Sequence, residues 1–165
     1  MESRIKVLGH PVHPMLIVFP LGLFATAVIF DVLYLATSNA DLAIFSFWAM
    51  AAGLVGGLMA AIFGLIDWLA IPNGTRAKRI GAFHGGGNLV VVLLFAVSFL
   101  MRTKGAAYLP DTLPLIVALL GAAIALVTAW LGGELVFRLR VAVDDDAGLD
   151  APNSLARVGA VEVKV

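Results

Sequence analysis

The sequence predicts an all-α membrane protein: a four-helix, up-and-down transmembrane bundle followed by a polar tail. Three observations predict it. Of 165 residues, 61% are hydrophobic and 13% charged, whereas a soluble domain is about half apolar and a quarter charged. The apolar residues form four runs, each longer than the ~18 residues that signal a bilayer span. The basic residues outside those runs fall mainly on alternate connections, as they do when successive helices cross a membrane.

The elements follow in order. A first helix is expected over about 15–36, interrupted only by Asp31. Its basic approach (Arg4, Lys6) and the small-residue triplet Ala25-Thr26-Ala27 resemble a cleaved signal peptide. The apolar run continues past that triplet to Ala36, so a retained helix is expected. Pro11 and Pro14 should hold the preceding histidines out of helical dihedrals, with His13 just before the helix and Pro14 at its first position. Pro20 should kink it. The second helix, about 42–71, is interrupted by Asp67 and carries Trp48 and Trp68. Twenty residues of helix span roughly 30 Å, so each indole should mark one interface. The third, about 80–101, contains His84 and Asn88; the fourth, about 113–137, starts near Pro114 and contains Glu134. Gly53, Gly57 and Ala61, and likewise Gly121, Ala125, Ala129 and Gly133, form small-residue faces for close helix packing.

Residues 1–143 thus form one transmembrane domain, and 144–165 a flexible tail that starts acidic. Its end, "RVGAVEVKV", alternates like a strand that would add to a partner's sheet edge. Arg4 and Lys6, then Arg76, Lys78 and Arg79, then Arg138 and Arg140 fall on one side, against Arg102 and Lys104 on the other. The expected location is therefore the bacterial inner membrane with both termini cytoplasmic. Zero net charge and the lack of a basic stripe give no footprint for nucleic acid. With no cysteine, thiolate chemistry, disulfides and iron–sulfur ligation are excluded. "GAFHGGGN" lacks the ending and the preceding strand of a phosphate loop, and no catalytic residue is assigned.

Helix register places His10, His13, Asp67, His84, Asn88 and Glu134 within one or two turns, roughly 5–10 Å, of the inner boundary. Three readings of this layer stand side by side. His84, beside Gly85–Gly87, and His13 or His10 would be the axial ligands of a b-type haem, with Asn88 one turn deeper. His13, His84, Asp67 and Glu134 would be the ligands of a divalent metal ion. Or the layer is structural, with Asp67 paired to Arg76 or Arg79 and Glu134 to Arg138. At the outer end, Asp31 and Arg102 are expected to form an ion pair.

"GHPVHPMLIVFPLGLFATAVIFDVLY", "GLIDWLAIP", the helical His84 and Asn88, and "GGELVF" resemble a bacterial four-helix membrane family of unknown function. The resemblance covers about residues 8–143, and its most specific element is the HPxHP entry. It implies a four-span inner-membrane fold with His10, His13, Asp31, Asp67, His84 and Glu134 at motif positions. Some relatives carry this domain ahead of a Rieske iron–sulfur domain, which implies a redox setting. Lacking cysteine, this chain would need a separate redox protein or membrane-complex subunits as partners. The expectation is a haem- or metal-binding subunit for electron transfer; the alternative is a non-catalytic accessory subunit, and an ion pathway would require a homo-oligomer.

Overall fold

The structure, a computed structural model, describes residues 1–105 and 108–157. Its first ordered element is a hairpin, β1 (Lys6–Val7) and β2 (His10–Pro11), paired antiparallel with Val7 opposite His10. Leu8 and Gly9 both have positive φ, 51° and 83°, as a two-residue turn between right-twisted strands requires. The chain then enters α1 (Val12–Leu16) and, after a break at Ile17, α2 (Val18–Thr37). Pro20 has no N–H to give to the carbonyl four residues back, and the break falls at that point. His13 is the second helical residue, not the one before the helix. The reason is that first-turn N–H groups have no partners within a helix, so Pro14 is accommodated there without loss of a bond.

The second span is α3 (Ala40–Ala70), capped by Asn39 Oδ1, which accepts from the Asp41 amide, and ended by Ile71-Pro72. The third is α4 (Arg76–Arg102), which starts one turn earlier than the apolar run because Thr75 Oγ1 caps it at the Lys78 amide. Trp68 and Lys78 clamp the turn between these two helices. The indole donates to the Lys78 carbonyl at 3.1 Å, and the Lys78 ammonium lies 4.1 Å from the indole centre. The last span is α5 (Thr112–Gly133), continued by a π-helical turn at Glu134–Arg138. All four spans are long and apolar enough to cross a bilayer.

The N-terminal segment meets the segment that follows α5 at one end of the bundle. The Met1 ammonium donates to the Arg140 carbonyl, and Lys6 pairs with Glu2 and Asp144. Those carboxylates raise the Lys6 pKa, and Lys6 in turn lowers that of Glu2. Part of the tail therefore lies against the hairpin, with Ser154 Oγ 3.3 Å from His10 Nε2. The strand-like residues 158–165 lie outside the described residues.

Only 17–22% of each apolar window is buried within the bundle. A bundle this thin has a narrow core (Phe24, Ala27, Met50, Val91, Phe95 and Ala118) and relies on close approach at small residues. Those approaches reveal an internal repeat. A Cβ on Gly53 would lie 2.7 Å from the Phe24 ring and 3.4 Å from Leu23; one on Gly121 would lie 3.0 Å from Phe95 and 3.4 Å from Leu94. A Cβ on Gly64 would meet the His13 ring at 2.7 Å, and one on Gly132 the His84 ring at 3.0 Å. His13, Leu23 and Phe24 each precede their counterparts by 71 residues, and Gly53 and Gly64 precede theirs by 68. The hairpin α1–α2–α3 is thus repeated by α4–α5 in the same direction, about a pseudo-twofold axis along the bundle. Residues at equivalent positions that touch must lie on that axis. Three pairs do: His13 with His84, Phe24 stacked on Phe95 at 4.0 Å, and Asp31 with Arg102.

The repeat has a direct consequence. Cut between Pro72 and Asn73 and co-expressed, the two halves are expected to reassociate in the membrane and to co-purify through a tag on either one. Recovery of the tagged half alone would show that the covalent turn, not the axial contacts, holds them together.

Candidate functional site

The end of the bundle where the N-terminal hairpin lies also holds the histidine pair. The His13 and His84 rings face each other edge to face, with centroids 6.4 Å apart and planes at 88°. Each ring is fixed in the same way. His13 Nδ1 donates to the Ala60 carbonyl of α3 at 2.9 Å, and the ring lies over Gly64, one turn along. His84 Nδ1 donates to the Thr128 carbonyl of α5 at 2.8 Å, and the ring lies over Gly132. A carbonyl can only accept, so the hydrogen of each neutral imidazole is on Nδ1 and the lone pair is on Nε2.

The two halves differ around this shared geometry. Asn88 Nδ2 lies 3.2 Å from His84 Nε2, and Asn88 Oδ1 accepts from Thr128 Oγ1 at 2.9 Å. The equivalent positions in the first half are Ile17 and Ala60. The polar relay is therefore confined to one side of the axis, around His84. Thr128 is missed by a reading of ionisable groups alone, although its four-residue spacing from Gly132, matching Ala60 and Gly64, marks it in the sequence.

The expected carboxylate partners are elsewhere. Asp67 is buried, but its two oxygens lie 2.8 and 2.9 Å from Ser3 Oγ, and Oδ1 accepts from the Arg4 amide at 2.8 Å. It anchors the N-terminal segment instead of pairing with Arg76 or Arg79. Glu134 pairs with Arg76 at 2.7 Å, not with Arg138, because the π-helical turn that begins at Glu134 departs from the regular helical spacing that would bring residues four apart together. His10 sits on the hairpin beside Ser154, outside the pair. Among the described residues, no three histidine or acidic side chains gather as a metal-ligand group. The four-ligand set His13, His84, Asp67 and Glu134 is thus reduced to its two histidines. Matched depth groups these side chains, but depth leaves open the direction in which each one points and ignores competing partners in the first five residues.

About 27 Å away along the first span, Arg102 donates from Nη1 and Nη2 to the two oxygens of Asp31, at 2.7 and 2.6 Å, and from Nη1 to Ser46 Oγ at 3.2 Å. Both side chains are fully buried. Between the two polar levels the stacked Phe24 and Phe95 close the axis.

No curated protein and no solved structure matches the chain. Its membership is shown by a family model that covers residues 9–145, nearly the whole bundle. The chain belongs to the family described as "Predicted membrane protein (DUF2231)".

Proposed function

We propose that this protein is a bacterial inner-membrane subunit that holds a metal centre through His13 and His84 and serves electron transfer with a separate redox partner. One observation carries the reading. Two imidazoles from opposite halves of the bundle each have Nδ1–H held by a backbone carbonyl, which puts the lone pair on Nε2; that of His84 faces the Asn88 amide at 3.2 Å, which a ligand would replace. A carbonyl on Nδ1–H is the outer-shell support found behind metal-bound histidines. The same end of the bundle carries Arg4, Lys6, Arg76, Lys78, Arg79, Arg138 and Arg140, which supports a cytoplasmic placement of both termini.

A haem and a bare ion would use the same two nitrogens, and the glycine contacts favour the ion. The α3 backbone at Gly64 lies against the face of the His13 ring, where a single added Cβ would already be 3.3 Å from Nε2. A haem on that nitrogen would need open space beside a ring that is already packed against α3 at Gly64.

A second reading has its own observation. The two histidine–carbonyl bonds also join α1 to α3 and α4 to α5, as an accessory subunit with purely structural polar groups would have them. Purification in mild detergent separates the readings. The expected result is stoichiometric metal, or a Soret band if the centre is haem, that is lost in His84→Ala while the helical circular dichroism persists. A colourless, metal-free and well-folded protein that stays so after metal loading would support the structural reading instead.

A further inference from the structure

We infer that the corner of the bundle where α4 begins and α5 ends binds the phosphate headgroup of an anionic lipid, held between Arg79 and Arg138. Neither arginine has a role in the metal-centre reading above.

The first ground is charge without local compensation. The start of α4 carries Arg76, Lys78 and Arg79, and its first turn holds no acid. That is the reverse of what the partial positive charge of a helix N-terminus favours. Two of the three cations find partners within the chain. Arg76 pairs with Glu134 at 2.7 Å. The Lys78 ammonium donates to the Trp68 and Leu69 carbonyls, at 2.8 and 3.4 Å, at the C-terminal end of α3. Arg79 and Arg138 are exposed, and among the described residues neither has an ion pair or a side-chain hydrogen bond.

The second ground is position. The Arg76–Glu134 bridge ties the start of α4 to the π-helical turn after α5. Arg79 follows Arg76 by about 4.5 Å along α4, and Arg138 ends the turn that Glu134 begins. The two helices run in opposite directions, so the two arginines stand on either side of the bridge. An aromatic ring accompanies each. Phe83, one turn beyond Arg79, is 68% exposed, and Phe137, beside Arg138, is 84% exposed. A bare ring next to a bare cation suits the bilayer interface, where the ring enters the acyl chains and the long basic side chain reaches the headgroups.

The chemistry of the corner selects the headgroup. The start of α4 and the π-helical turn together set one carboxylate, Glu134, against Arg76, Lys78, Arg79 and Arg138. That excess attracts a headgroup of net negative charge and disfavours the ammonium of a zwitterionic one. The guanidinium fork matches the paired oxygens of a phosphodiester.

The test is native mass spectrometry of the full chain in mild detergent, with phosphatidylglycerol and phosphatidylcholine of identical acyl chains added in competition. Preferential retention of phosphatidylglycerol is expected. Arg79→Gln and Arg138→Gln should each weaken that retention about fivefold, the worth of one cation near a lipid surface, and the double variant at least about tenfold. Arg79→Lys/Arg138→Lys, which keeps the charge and loses the fork, should fall between the double Gln variant and the unaltered chain. Arg4→Gln, at the same end but outside the corner, should leave retention unchanged. Circular dichroism of each variant should show unchanged helix, since both arginines are exposed. Equal retention of the two lipids, or undiminished phosphatidylglycerol on the double Gln variant, would overturn the assignment. So would displacement of the lipid by millimolar inorganic phosphate, which would give the corner to a free anion.

Discussion

Arg102→Ala is expected to destabilise the bundle by about 3–5 kcal/mol, the usual cost of removing one partner from a buried ion pair. The Asp31 carboxylate would remain fully buried, with both of its guanidinium hydrogen bonds gone. Asp31→Ala should cost a similar amount by leaving the guanidinium unpaired. The internal repeat adds a sharper expectation. Because positions 31 and 102 are equivalent about the axis, the exchange Asp31→Arg/Arg102→Asp should recover much of the stability that either single change removes. Recovery should be incomplete, since Ser46 supports Arg102 at 3.2 Å and its counterpart in the second half is Pro114. Thermal unfolding in detergent of the two single variants and the exchange variant checks this. An exchange variant no more stable than the singles would show that the two ends of the pair are not interchangeable and would remove the repeat as an explanation of the contact.

Gly64→Ala is expected to have the next largest effect, and it reaches the histidine pair directly. The new methyl would lie 2.7 Å from His13 Cε1 and 3.0 Å from Nδ1, inside van der Waals contact, so the ring must move and its bond to the Ala60 carbonyl must break. Overpacking of this kind costs about 1–3 kcal/mol, and ion binding should be lost with it. Gly132→Ala should be milder, because the corresponding contact with His84 is 3.0 Å. Gly85→Ala and Gly86→Ala, where an added Cβ meets nothing within 4 Å, should be neutral or should stabilise by up to about 1 kcal/mol through helix propensity. Melting temperatures and bound-metal content across the four variants test the ranking. If Gly64→Ala and Gly85→Ala behave alike, the His13 ring is not seated on α3.

How much of this was legible in the sequence depends on the direction of the information required. The spans were legible because each is a long apolar run, and the elements differ mainly at their ends. There, local bonds move a boundary by a turn, as Thr75 does for α4. Asp31 and Arg102, expected at one level from helix register, are joined in the structure because the other buried polar side chains described near them, Ser46 and Ser98, carry no charge. The other end is crowded. Residues at matched depth there have several choices, and the choices are made by groups outside the apolar runs: Ser3 for Asp67, Arg76 for Glu134, and Ser154 for His10. The internal repeat is carried by a few positions, chiefly His13 and His84, Phe24 and Phe95, and the glycines facing them. Between these positions the two halves differ, because a bilayer span demands little beyond apolarity there, which many residues satisfy. Contacts at the glycines made the repeat visible, since only there does the packing restrict the residue type.

The central claim is that the two halves pair about one axis that brings His13 and His84 together. The absence of cysteine from the chain permits a direct measurement: cysteine pairs introduced at 13 and 84, at 24 and 95, and at the out-of-step combinations 13 with 95 and 24 with 84. Each variant is treated in membranes with a short bifunctional thiol reagent and then cleaved in the turn between α3 and α4. The account predicts that the in-step pairs keep the two halves covalently joined and that the out-of-step pairs release them. Joining of the out-of-step pairs, or release of the 13–84 pair, would contradict it.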